Sequence, residues 1–145
     1  MRYILFTLQG QEHIDAWVNS SAEEKELEIE ETRAWFRKYA MAGRITGGEE
    51  LGWPRDAKTV RKKGVTDGPF AETKEHLGGL IIVEVASEEE AIEMAREWPG
   101  LAWDGDAVEV RPVGSSEAQA AEQRGREGWS APAATLGESN DGPPW

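Results

Sequence analysis

Two stretches of this chain are apolar on both faces of a strand, and that limits what it can fold into. Residues 3–8 read YILFTL, and residues 80–83 run Leu-Ile-Ile-Val with no polar alternation. Successive residues of a strand point to opposite faces, so both segments need cover on both sides. Only two long helical patterns accompany them. The first, expected at 22–42, opens on a capping box, Ser21 with Glu24, and carries acids in its first turns, where the helix dipole favours them. Its apolar face is read as Ile29, Thr32, Phe36, Tyr39 and Ala40, and Gly43 stops it. The second opens on Ser87 with Glu90, presents Ala91, Ile92, Ala95 and Trp98 on one face, and ends at Pro99 and Gly100.

Between the two helices lie extended pieces at 45–51 and 59–66, the latter broken by a turn at Lys63 and Gly64, and then the strand around 80–85. Residues 107–113, AVEVRPV, alternate as a strand with one wet face does. The order is therefore strand, helix, strand pieces, strand, helix, strand. It predicts an α+β fold of the ferredoxin-like split βαβ type, an antiparallel sheet with two helices on one face. Two helices cover one face only. The other is expected to be covered by a second copy, sheet on sheet, in a homodimer with the architecture of a dimeric α/β barrel. Residues 1–113 form this domain. Residues 114–145, rich in Gly, Ala, Ser and Pro, read as a tail with a short helix from Ser116, capped with Gln119 and closed by Gly125, and with Trp129 and Trp145 as anchors.

Composition removes several function classes. The 28 acids against 16 bases give a formal charge of -12, which repels nucleic acid and anionic membranes. The basic cluster Arg61, Lys62 and Lys63 reads as a protected sheet edge. There is no cysteine, hence no disulfide, thiolate ligand or thiol nucleophile. The apolar run at 3–8 is too short for a signal peptide or a membrane span, so a soluble cytoplasmic chain is expected. No P-loop, GxGxxG, HExxH or GxSxG is present, and neither a metal nor a cofactor is implied.

Residues 65–79, VTDGPFAETKEHLGG, gather the densest set of polar candidates. Asp67, Gly68 and Pro69 are turn formers, and Phe70 reads as a core plug. If residues 71–77 made a helical turn, Glu72 and His76 would share a face at i,i+4, where a carboxylate can orient an imidazole as a general base. His13, near Asp15, is the competing base. Among the seven tryptophans, Trp53 and Trp103 fall in loops and suit an apolar pocket for an aromatic ligand.

This stretch, followed by a strand, a capped helix and VEVRPV, and preceded by the opening MRYILF, resembles the DGPF-motif proteins of the YCII-related family. The resemblance spans residues 1–113. It implies a ferredoxin-like α+β barrel that dimerises. It also implies kinship with small enzymes acting on cyclic or aromatic compounds, such as a dehydrochlorinase of a chlorinated hydroquinone, and a fold like that of muconolactone isomerases. Many DGPF proteins resemble partners encoded near extracytoplasmic-function sigma factors. The YCII branch is associated with a His–Asp pair whose histidine lies near the start of the first helix. The helix expected at 22–42 has no histidine, His13 lies before it, and Asp67 is the candidate acid.

Two functional readings follow. The first is a small-molecule site that catalyses cofactor-free proton transfer, isomerisation or elimination, on a ring compound. His76 is then acid or base, Glu72 orients it, Asp67 organises the loop or serves as second acid, and Phe70, Lys74, Trp53 and Trp103 contact the ligand. The second is a non-catalytic regulatory module whose acidic surface and tail meet a basic partner, linked to such a sigma factor.

Overall fold

The computed structural model describes residues 1–71 and 74–130. Residue contacts divide the chain into two units, Met1–Pro112 and Val113–Trp145. The first unit is built on strand β1 (Arg2–Gly10), whose two-sided apolarity puts it inside a sheet. Helices α1 (Gln11–Asn19) and α2 (Ala22–Met41) follow, then β2 (Ile45–Glu50), a hairpin of β3 (Lys58–Arg61) and β4 (Gly64–Asp67), β5 (Glu75–Glu84), α3 (Glu88–Arg96) and β6 (Ala107–Pro112). The main sheet runs β2-β5-β1-β6, antiparallel throughout, with β1 and β5 as its centre. Counting these four in chain order, this is the ferredoxin-like arrangement. The hairpin forms its own two-stranded sheet, with Val60 opposite Val65 and the turn at Lys62 and Lys63.

The core lies between one sheet face and the helices. Tyr3 and Leu5 of β1, Ile81 and Val83 of β5, and Val85 just beyond meet Trp35 and Tyr39 of α2 and Ala91 and Met94 of α3. Strand alternation puts Ile4, Phe6, Leu80 and Ile82 on the opposite face, half-buried in the single chain. Both serine N-caps form. The Ser21 Oγ accepts from the Glu24 N–H at 3.1 Å, and the Ser87 Oγ accepts from the Glu90 N–H at 3.3 Å. Glu90 reaches back to the Ala86 N–H at 2.8 Å. No helix among the described residues is long and apolar enough to cross a membrane.

Several local expectations need correcting. A helix, α1, precedes the one expected as first. It starts on Gly10, which offers no side-chain cap, and spans only nine residues. Its internal supports are the Gln11 side-chain amide donating to Asp15 and the Asn19 amide donating to the Asp15 carbonyl, each at 2.8 Å. The buried stripe of α2 turns on Trp35, whose indole N–H donates to the Met94 carbonyl at 3.0 Å, and leaves Ala40 exposed. Residues 75–77 belong to β5, not to a helical turn, because they pair with the end of β1, His76 opposite Gln9. Glu72 lies outside the described residues. Phe70 is 75% exposed rather than a core plug. In the second unit, α4 (Ser116–Ser130) is capped by Ser115, whose Oγ accepts from the Ala118 N–H at 3.0 Å, and it runs through Gly125. Trp145 lies outside the described residues.

Candidate functional site

At the end of β1 the chain enters α1, and His13 sits in that helix's first turn, 6% exposed. Its Nδ1 lies 2.5 Å from Oδ2 of Asp106, and its Nε2 contacts Oε1 of Glu28 on α2. The indole of Trp103 stacks on the imidazole, with centroids 4.9 Å apart and planes 10° apart. Asp106 is almost fully covered, its side chain 2% exposed, whereas that of Glu28 is 31% exposed.

Backbone packing makes this corner. The loop before β6 passes so close to the end of β1 that a Cβ on Gly10 would stand 2.9 Å from the Gly105 carbonyl oxygen. The same approach lets the Gly10 N–H donate to Oδ1 of Asp106 at 2.8 Å, so both carboxylate oxygens are bonded. Gly100 leaves the space that the carboxylate uses, since a Cβ there would lie 3.0 Å from Oδ2 of Asp106. A buried carboxylate with full hydrogen bonding is a tolerable cost, and an unbonded one is not.

Each ring nitrogen of His13 faces a carboxylate oxygen. Two carboxylates on one imidazole leave the trio net negative. Glu28 is its outermost member. It lines a cleft of about 1220 Å³ together with His13, Asp106, Trp103, Trp53 and the glycines Gly47 and Gly48 of β2 and Gly78 and Gly79 of β5. A buried pair behind a half-exposed carboxylate can hold a proton at the wall of the cleft and exchange it there.

The sequence candidates separate. His13, Trp53 and Trp103 line the cleft. His76 is on β5, its Nε2 3.1 Å from the Gln11 side-chain oxygen, in an exposed contact. Asp67 ends β4, 85% exposed, in an ion pair with Lys58. Phe70 stands in solvent with the Arg61 guanidinium 5.0 Å from its ring centre. Lys74 is exposed. None of these last four lines the cleft. No group of three or more His, Cys, Asp or Glu side chains among the described residues is arranged to hold a metal ion. Asp106 and Glu28 went unnoticed in the sequence, since acids are common throughout it. Their signal was indirect: Asp106 follows Gly105, whose backbone packs against Gly10, and Glu28 belongs to the inward face of α2.

Comparison with known proteins is in keeping with this picture. The YCII-related domain matches residues 1–115. An uncharacterized protein of Rhizobium meliloti (strain 1021) is 34% identical over 117 residues, covering 78% of this chain and 92% of that protein.

Proposed function

The chain belongs to the YCII-related family, and from that premise we propose that it binds a small cyclic or aromatic molecule in the cleft and moves a proton on it without a cofactor. The carrying observation is the buried pair of His13 and Asp106, which meets the cleft through Glu28. In this reading Asp106 holds the imidazole in one orientation, the imidazole holds Glu28, and Glu28 accepts a proton from a ring carbon. For an isomerisation the same proton returns to another carbon of the conjugated system. For an elimination the C–H electron pair becomes the new double bond, and the leaving group departs with its own bonding pair. Trp103 restricts the imidazole to a single plane, so the acceptor keeps its direction while substrate binds.

The test is deuterium exchange in D2O, followed by NMR, on a panel of cyclic enones, lactones and hydroquinones. The wild-type protein is expected to accelerate exchange on at least one class. His13→Gln should slow it by about 100-fold or more while the fold survives by circular dichroism. Exchange at an undiminished rate in that variant sinks the reading.

A homodimer belongs to the same proposal. The half-buried Ile4, Phe6, Leu80 and Ile82 lie on the sheet face opposite α2 and α3, and a second sheet of the same kind fits it. Sedimentation should give a dimer for the wild type and a monomer for Ile82→Glu. An Ile82→Glu protein that stays dimeric would remove this face from the interface.

A further inference from the structure

The cleft has an uneven charge. Six acids line it, Glu24, Glu28, Glu31, Glu49, Glu50 and Asp106, against two bases, Arg33 and Arg37. Those two bases are already engaged: Arg33 bonds Glu26 at 3.2 Å, and Arg37 bonds Glu30 at 3.2 Å. Neither Glu26 nor Glu30 lines the cleft. Glu24, Glu31, Glu49 and Glu50 have no ion-pair partner among the described residues, and the trio of His13, Asp106 and Glu28 adds its net negative charge at the inner wall. A low-dielectric cleft walled by one sign of charge concentrates the opposite sign.

The apolar part of the wall is independent of that charge. Trp17, Phe36, Trp53, Trp98 and Trp103 all contribute to it, which suits a flat ligand. The protein already places its own cations on two of these rings. Lys25 Nζ lies 5.5 Å from the Trp17 ring centre, and the Arg55 guanidinium lies 5.9 Å from that of Trp53. Neither Lys25 nor Arg55 lines the cleft. An indole face attracts cations through its quadrupole, so aromatic walls and acidic walls favour one kind of guest.

Resting on the cleft reading above, we propose that the compound taken there is a cation, a flat aromatic ring bearing an alkyl amine protonated at neutral pH, whose N–H donors meet Glu28. An anionic ring acid is disfavoured at the same place. Glu28 is the contact because it is the exposed end of the trio, and a charge-assisted N–H···O bond to it completes a carboxylate that His13 satisfies from one side only.

Three probes of similar shape test the class: phenethylamine, phenethyl alcohol and phenylacetate, titrated into the full chain. The NMR signals of the His13 imidazole and the Trp103 indole report the location. Phenethylamine is expected to shift both signals and to bind about tenfold or more tighter than the alcohol, with phenylacetate weakest. Glu28→Gln should remove most of that preference and leave the alcohol's affinity within about twofold, since only the charge is lost. If the alcohol or phenylacetate shifts the same signals and binds as tightly as the amine, the cationic class is overturned and the cleft reading stands. If no probe moves either signal, both fall. Full amine affinity in Glu28→Gln overturns Glu28 as the contact.

Discussion

Two regions carry most of the polar side chains that attract notice, and they are built in opposite ways. The hairpin and the turn after it, residues 58–70, are contiguous in sequence and stand in solvent, with Asp67, Val60, Val65 and Phe70 all exposed. The corner around His13 draws on α1, α2 and the loop before β6, with His13 and Asp106 93 positions apart, and it is packed. The hairpin holds the motif by which the family is recognised. The corner holds the arrangement with chemical capacity. Turn formers must be neighbours in sequence to work, so they make a legible motif. A buried imidazole needs partners from whichever elements pack against it, and these leave no local pattern.

The sharpest way to break this contrast is to truncate one carboxylate in each region. Asp106→Ala strands the Gly10 N–H and the imidazole in the interior and should destabilise the fold by about 3–5 kcal/mol in urea unfolding. A loss under about 1 kcal/mol would mean that the corner is wetter than its burial implies.

Another packed polar contact allows a check by pH. Tyr39 is held at about 12, above its ordinary value of 10.0, first because it is buried and then because its hydroxyl donates to the Glu97 carboxylate at 2.6 Å. The folded state therefore keeps a proton that the unfolded chain releases. This contribution is intact below pH 10 and is lost as pH rises through about 12, a decline of about 2–3 kcal/mol. Tyr39→Phe should flatten that decline in unfolding measured from pH 9 to 12. An unchanged slope would assign the decline to other groups. Glu97 itself is held below its ordinary value, first by Lys38 and then by Tyr39, so its contribution is lost as pH falls.

Gly10→Ala tests whether the close approach sets the corner. The added Cβ meets the Gly105 carbonyl, and a cost of about 1–3 kcal/mol is expected, with a shifted Trp103 signal. A neutral substitution would mean that the loop can retreat freely. At the small end, Asp67→Ala and Phe70→Ala in the exposed region should each stay within about 0.5 kcal/mol of wild type. A larger loss in either would show the hairpin bearing on the core after all.

Much of the fold was legible, and for local reasons. The bounds of α2 follow from Ser21 at one end and Gly43 beyond the other, and those of α3 from Ser87 and Pro99. The split of residues 59–66 into two strands follows from the turn they contain. α1 was not legible because it is short and starts on an uncapped glycine, although Ile14, Trp17 and Val18 have helical spacing. Missing it moved His13 off the start of the first helix.

By itself, then, the sequence determined the order of the strands and of α2 and α3 among them, the antiparallel α+β class and the family, because capping, alternation and turn chemistry act between near neighbours. Only the tertiary structure decided which acids stand beside His13. That choice depends on the segments at Gly10 and Gly105 meeting so closely that Gly10 has no room for a side chain, and on the inward face of α2 carrying Glu28 to the same place.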